Sequence, residues 1–288
     1  MKTAKLPRAA LGPLTSALLV SLLLSGGPAL ASDTAAGAAS GTAAEAKPGK
    51  PKKPQKSKPP KTIVSLTFDD GDATHVLAAR MLGKRGMRGT FYVNSGNLGE
   101  DDRLTRRQLA AIAKSGHEIG GHTLDHARLT ELPPDELRAQ ICDDRKALMR
   151  MGHRATTFAY PYGAVNAEAT RTARLCGYAA ARTTWGLRQW TCRNCPATET
   201  VPPLDRWAIR APSSFVEDTE VRQMKQLVLN AEKAGGGLLP LIFHRVCDGC
   251  GLYSTPPDRL GEFLDWLAAR KNRGTVVRTM AEAVGGGR

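Results

Sequence analysis

The 288-residue sequence has no apolar run long enough for an ordinary membrane-spanning helix and no internal repeat, which argues against a multi-span membrane protein and a repeat array. No cysteine precedes Cys142, so no thiol is available near the N-terminus for lipid attachment. Acidic side chains are almost missing from the first 61 positions, where only Asp33 and Glu45 occur. The net charge of +14 is therefore uneven: residues 1–31 carry +3 and residues 32–61 carry +5, leaving +6 on the remaining 227. A globular part that is only moderately basic argues little for a nucleic-acid partner. A composition of 41% hydrophobic and 24% charged residues also excludes wholesale disorder and collagen-like structure.

Residues 1–31 read as a secretory signal peptide. Basic residues come first, an apolar stretch runs from Leu11 to Leu24, and Ala29-Leu30-Ala31 offers small residues for cleavage. Gly12, Pro13, Ser16 and Ser21 interrupt a stretch already short for a bilayer, so no stable membrane anchor is expected after cleavage. Residues 32–61 are dominated by Ala, Gly, Pro and Lys and read as a disordered linker: a flexible tether, then a proline-stiffened basic segment. That segment is either a solubilising spacer or an electrostatic contact to an anionic cell wall. The expected location is secreted or cell-wall associated.

From residue 62 to 288 short β-branched or aromatic runs alternate with helix-like stretches. The runs are Ile63–Phe68, Gly89–Val93, Glu118–Gly121, Thr156–Tyr160, Tyr178–Arg182, Trp207–Arg210, Leu239–Phe243 and Thr275–Val277. Helical patterns cover Thr74–Arg85, Thr105–Ser115, Pro134–Met151, Asn166–Cys176, Asp218–Ala234 and Asp258–Lys271. Such alternation predicts one α/β domain with a mostly parallel sheet, either a barrel or an open doubly wound fold.

The chemistry-bearing residues fall where the predicted strands end. Asp69-Asp70-Gly71 follows the first; two neighbouring carboxylates share a pocket only where the strand has ended, although an Asx-type turn with an N-cap stays open as a structural reading. His122 and His126 follow the third, and imidazoles four apart converge on one ion if the segment turns like a helix. With Asp70 they form a two-histidine, one-carboxylate set, which suits a catalytic metal and also fits a non-haem iron oxygenase. Tyr160-Pro161-Tyr162-Gly163 ends the fourth strand and its Pro–Gly bracket presents a backbone N–H. His244 ends a late apolar strand, a position where α/β barrels gather catalytic groups. His75, His117 and His153 have no placed partners; a solvated helix position is expected for His75 and a structural role for His117.

Taken together, Thr-Phe-Asp-Asp-Gly at 67–71, Gly-His-Glu-Ile-Gly-Gly-His-Thr-Leu-Asp-His at 116–126, Tyr-Pro-Tyr-Gly at 160–163 and the apolar run ending in His244 resemble the polysaccharide deacetylase family (carbohydrate esterase family four, the nodulation deacetylase homology domain). Gly-Thr-Phe-Tyr-Val at 89–93 resembles its second strand. The resemblance implies a distorted (β/α) barrel with about seven parallel strands, forming a catalytic domain over 62–288. It implies a divalent cation, usually zinc, on Asp70, His122 and His126, with Asp69 as general base, His244 as general acid and the Tyr162 N–H as oxyanion donor. Metal coordination can lower the pKa of a water from about 15.7 to roughly 7.

The implied activity is hydrolysis of acetyl groups on a polysaccharide, foremost the N-acetyl of N-acetylglucosamine units in peptidoglycan, chitin oligomers or an exopolysaccharide. The alternatives are a glycan-binding protein with a relic site, or the iron oxygenase. Many relatives carry Arg two residues before the motif's Pro, where this chain has Ala159, and Arg210 is a candidate replacement. The family's Asp/Trp motif has no clean counterpart. Tyr160, Pro161, Trp185 and Arg210 are candidate substrate-binding residues, and Trp190 and Trp207 join Trp185 as candidates for a sugar-facing wall.

Six cysteines in an exported chain favour disulfides. Cys142 and Cys176 each lie on a predicted helix, and Cys192–Cys195 and Cys247–Cys250 are CxxC units. Local bridges lead, with cross-pairing or a four-thiolate zinc site as alternatives.

Overall fold

The computed structural model describes residues 61–285. The proposed signal peptide, the linker up to residue 60 and the last three residues lie outside them. Among the described residues no helix is long and apolar enough to cross a membrane.

In chain order the elements are β1 (Thr62–Phe68), α1 (His75–Gly83), β2 (Thr90–Val93), α2 (Arg106–Lys114), β3 (Glu118–Gly121), α3 (Pro134–Arg150), β4 (Thr157–Ala159), α4 (Ala167–Leu175), β5 (Ala180–Gly186), β6 (Ile209–Ala211), α5 (Val221–Lys233), β7 (Gly237–Phe243), α6 (Pro257–Ala268), β8 (Thr275–Val277) and α7 (Met280–Ala283). Every named ladder is parallel, and seven strands run β6-β5-β4-β3-β2-β1-β7. The edge of β1 that faces β2 is shared: β8 pairs with residues 62–64 and β2 with residues 67–68. No ladder joins β6 to β7, so the barrel is distorted and open on that side.

The sequence accounts for these elements locally. β1 and β7 are buried nearly throughout, as expected of parallel strands covered on both faces. Pro240 sits inside β7, where a central strand would lose a ladder bond. Residues 238 and 242 bond outward, to Glu199 and Phe215, so by alternation the N–H missing at 240 would also have pointed off the sheet. The helices carry their own end signals. Capping boxes Thr105/Gln108, Glu220/Gln223 and Thr279/Glu282 open α2, α5 and α7, and Pro134 occupies the first turn of α3.

Several element ends shift by one to three residues from the sequence reading, and β5 and α7 depart from it most tellingly. β5 starts two residues late and runs on to Gly186, because its ladder with β6 continues past an irregularity between Arg182 and Gly186. α7 escaped the pattern because four residues carry no helical period. Its N-terminal amides cap the end of the barrel opposite the strands' carboxyl ends, donating to Thr90 and Glu118.

Gly120 and Gly121 let β3 pass close to its neighbours. A Cβ at Gly121 would overlap the Tyr178 hydroxyl and the Asp144 carboxylate, and one at Gly120 would overlap the Tyr92 ring. Gly121→Ala is expected to cost about 1–3 kcal/mol through overpacking, read as a lowered denaturant midpoint.

Candidate active site

The carboxyl ends of β1, β3, β4 and β7 meet around one cavity of about 510 Å³. Asp69 and Asp70 follow β1 directly, and Asp70 turns the chain at φ 77°. Thr123 (φ 71°), His126 (φ 70°) and Tyr162 (φ 58°) are also left-handed. Non-glycine residues pay of order 1–3 kcal/mol for such conformations, and these cluster at functional sites. The expectation that residues 122–126 turn like a helix is thus corrected. Two left-handed residues fold a loop back on itself and bring the imidazole centroids to 4.9 Å.

That loop is held from several sides. The Thr123 hydroxyl accepts from the His126 N–H at 3.0 Å, and Gln140 accepts from the Leu124 N–H at 3.0 Å. The Asn94 amide donates to the His122 carbonyl, and buried Asp144 accepts from the N–H groups of His122 and Ser95 and from the Tyr178 hydroxyl. Burial pushes the Asp144 carboxyl up to about 7, against hydrogen bonds from Ser95 and Tyr178 that pull it down. Sequence reading missed Asp144 and Asn94: each is an ordinary polar residue, and only packing brings them under the loop.

Asp70, His122 and His126 present ligand atoms all within 4.8 Å of one another. The Asp70 Oδ1 lies 3.3 Å from His122 Nε2 and 3.2 Å from His126 Nε2. His122 Nδ1 is 2.7 Å from the Ala159 carbonyl, which can only accept, so that nitrogen carries the proton and a neutral ring turns the bare Nε2 toward the carboxylate. Acceptor then faces acceptor, an arrangement relieved by an imidazolium or by a cation between them. Burial opposes charge on His122, but the Asp70 hydrogen bond and the charges of Asp69 and Asp70 outweigh it and raise its pKa. An open-sided donor set of two nitrogens and one oxygen fits a borderline divalent metal.

Asp69 is 2% exposed and pairs with a guanidinium that the sequence reading did not choose. Arg182 Nη2 reaches both Asp69 oxygens at 2.6 Å, Nη1 donates to the Thr183 carbonyl at 3.0 Å, and the group lies 5.1 Å from the Tyr92 ring centroid. Burial alone would raise the Asp69 pKa; Arg182, then His122 and His244, overcome it and hold the carboxyl below its usual range. Arg210 instead binds Glu199 through Nε and Nη2 at 2.6 and 3.0 Å and does not line the cavity, which corrects its proposed role. The register explains the substitution: Ala159 on β4 is the direct partner of Arg182 on β5, so the charge enters at the same level from the neighbouring strand. Arg182 also ended a strand foreseen in the sequence, and that position was the available signal.

His244 Nε2 lies 4.0 Å from Asp70 Oδ2, with its ring 5.1 Å from Tyr253. Its pKa is lowered by burial, with Asp69 and Asp70 opposing. His75 corrects another expectation: it is fully buried rather than solvated, and its Nε2 bonds the His244 carbonyl at 2.9 Å. His117 is buried and accepts from the Gly89 N–H.

Tyr160, Tyr162, Trp185 and Trp190 line the cavity with Arg128 and Tyr253. Pro161 is buried outside the lining, and Trp207 packs against the core. The cysteines pair as Cys142–Cys176, Cys192–Cys195 and Cys247–Cys250.

The profile of the polysaccharide deacetylase family matches residues 56–181. Over that segment the chain is similar to the polysaccharide deacetylase family. The match contains Asp69, Asp70, His122, His126 and the Tyr160–Gly163 turn, and it stops one residue before Arg182. YxkH of Bacillus subtilis, a protein named for this family, is 34% identical over 123 residues, 42% of this chain and 44% of its own length. The peptidoglycan-N-acetylglucosamine deacetylase PgdA of Listeria monocytogenes is 33% identical over 108 residues, 36% of this chain and 22% of its own. The matched part thus spans less than half of these relatives. The family 4 carbohydrate esterase of Streptomyces lividans superposes with a TM-score of 0.51 at 17% identity, over 76% of this chain and 92% of its own, a likeness of fold.

Two measurements probe the site. Calorimetric titration with Zn²⁺ is expected to find one tight site, weakened at least about tenfold by His126→Ala. Burial holds the His75 pKa down at about 4 against an ordinary 6.5, so on acidification the unfolded chain takes up this proton first. The stabilisation is whole above pH 6.5 and is lost between there and 4. Wild type should therefore lose on the order of 3 kcal/mol relative to His75→Gln across that window, read from urea unfolding at each pH.

Proposed function

We propose that this chain is an exported, metal-dependent polysaccharide deacetylase that hydrolyses the N-acetyl groups of N-acetylglucosamine units in a cell-wall or chitin-like glycan. The observation that carries the reading is the pairing of two sites at one cavity. Three ligand atoms of Asp70, His122 and His126 converge, and beside them an ionised Asp69 is locked by a buried Arg182. PgdA, named for peptidoglycan N-acetylglucosamine, supports the substrate class, as does a chitin deacetylase of Arthroderma benhamiae that is 34% identical over 117 residues. The N-terminal pattern supports export, with the Lys-rich segment as a contact to an anionic wall.

A divalent cation, zinc by preference for this donor set, would supply Lewis acidity toward a water molecule and the acetyl oxygen. The remaining work belongs to the chain. Asp69, kept charged by Arg182, takes the proton of the attacking water. Because Arg182 grips both oxygens, it also fixes the carboxylate's orientation. The Tyr162 N–H, aimed by its left-handed backbone, donates to the oxyanion, worth about 3–4 kcal/mol for a well-placed donor. His244 delivers a proton to the leaving nitrogen, and His75 holds its backbone in place. Tyr162 and Tyr253, on the imidazole rings of His126 and His244, flank the reacting sugar.

The test is acetate release from a panel of acetylated glycans, with and without chelator and added Zn²⁺. Chelator should abolish release and Zn²⁺ restore it. Asp69→Asn should retain Zn²⁺ affinity while lowering kcat by about 10²-fold or more. Chelator-insensitive release, or equal loss of metal and turnover in Asp69→Asn, would overturn the assignment of roles.

A further inference from the structure

The end of the barrel opposite the cavity carries a surface that the proposed chemistry does not use. Because every ladder is parallel, the C-termini of the connecting helices gather at the strands' amino ends. The seven residues of β1 put that end about 20 Å from the cavity. Lys61 enters the fold there: its N–H donates to the Gly274 carbonyl at 3.0 Å, and its carbonyl accepts from the Gly237 N–H at 2.6 Å. The Thr198 hydroxyl donates to the Gly236 carbonyl at 2.9 Å, and Glu199 and Leu238 exchange backbone bonds. The turns at 198–206, 233–237 and 271–274 are thereby tied together beside Lys61.

Lys61, Lys233, Lys271 and Arg273 are exposed on these turns. The acids nearby are already engaged: Glu232 accepts from Arg270 and Thr275, Glu199 from Arg210, and Asp205 from the Trp207 N–H. Among the described residues Lys61, Lys233 and Lys271 meet no carboxylate, whereas on the helix flanks Lys146, Arg171, Arg222 and Lys225 each do. A helix dipole favours a cation at each C-terminus, which covers Lys233 on α5 and Arg270 after α6. Lys61, Lys271 and Arg273 come in addition. Residues 50–60, which lead into Lys61, add five lysines and no acid. The first turn also carries Val201-Pro202-Pro203-Leu204. Val201 is 49% exposed, and Leu204, at 83%, is the most exposed large apolar side chain among the described residues. The tip is held in place: Pro203 is buried, Thr200 bonds the Pro202 carbonyl at 2.7 Å, and Arg206 bonds the Val284 carbonyl at 3.2 Å. One exposed leucine needs no explanation, but a braced apolar tip beside four cations is amphipathic. A hydrophilic polyanion would cover the cations and leave the tip in water. A bilayer with anionic headgroups accommodates both.

We infer that this end of the barrel is a peripheral membrane-binding face. Lys61, Lys233, Lys271 and Arg273 meet the headgroups of anionic phospholipids, Val201 and Leu204 enter the interface, and the cavity at the other end stays directed away from the bilayer. The face stands independently of the proposed function; only the presentation of a deacetylase site to a glycan above the membrane rests on that reading.

The test is co-sedimentation of the full chain with vesicles of phosphatidylcholine, alone or mixed with phosphatidylglycerol. Wild type should bind the anionic vesicles at least about tenfold more tightly than the neutral ones. The triple variant Lys233→Glu, Lys271→Glu, Arg273→Glu should lose at least about tenfold on anionic vesicles, and Leu204→Asp at least about threefold. A control with the same change in net charge at the cavity end, Arg106→Glu, Arg107→Glu, Arg138→Glu, should stay within about threefold of wild type, since that end lies beyond the Debye length. All variants should keep the wild-type melting temperature. Leu204→Trp should add fluorescence that brominated lipid quenches. No preference for anionic vesicles, equal losses in the two triple variants, or no added quenching overturns the face. Binding to poly(glycerol phosphate) with none to vesicles overturns it in favour of a soluble polyanion. Acetate release from a soluble N-acetylglucosamine tetramer by the Zn²⁺-loaded chain should be unchanged when the chain is bound to vesicles, and its loss there overturns the orientation. Vesicle binding as expected, with no acetate released on or off the vesicles, overturns the deacetylase reading and leaves the face standing.

Discussion

Much of this fold is arranged around an electrostatic conflict at one carboxylate oxygen. Asp70 Oδ1 has no hydrogen-bond partner of its own, and two imidazole nitrogens approach it within 3.3 Å. With His122 committed through its other nitrogen to the Ala159 carbonyl, a neutral His122 ring turns a lone pair toward the Asp70 carboxylate, a repulsion that a proton or a cation between them relieves. A chain free to relax would rotate these groups apart. They stay because the loop with left-handed backbone at Thr123 and His126 is held from outside by Asn94, Asp144 and Gln140, while Arg103 donates to the Asp70 carbonyl.

A second buried charge lies alongside and is managed differently. Asp69 and Arg182 are both nearly inaccessible, and removing either partner would leave an uncompensated ion in a low-dielectric interior. Such a pair is weak support for stability but strong support for position, since one guanidinium nitrogen touches both carboxylate oxygens. The two acidic neighbours therefore have opposite situations: Asp70 is compensated by whatever its imidazoles share, Asp69 by a fixed cation of the protein. That division suits a ligand on one side and a proton acceptor on the other.

Much of the architecture could be foreseen because the core strands are buried on both faces and read as short apolar runs. Ile63–Phe68 and Leu239–Phe243 are examples, and the capping residues around them punctuate the helices. Placing chemistry at strand ends led to Asp69, Asp70, His122, His126 and His244, because in a parallel sheet all carboxyl ends face the same way. The same rule, applied to the strand ending at Arg182, would have found the cation that Arg210 was chosen to supply. His75 was misjudged for another reason. Its neighbours in sequence look solvated, whereas its ring is wedged between Phe68 and Phe91 under the His244 carbonyl.

By itself the sequence determined the alternation of strands and helices, the residue types able to bind a cation, and the motifs that resemble a deacetylase family, because these depend on local pattern and on spacing along the chain. Only the tertiary structure decided which guanidinium meets Asp69, how residues 122–126 bend, and which tryptophans face the cavity. Those outcomes depend on strand register and loop closure, as in the pairing of Ala159 with Arg182. Such contacts join residues far apart in sequence, and a one-residue slip would send each side chain to the opposite face.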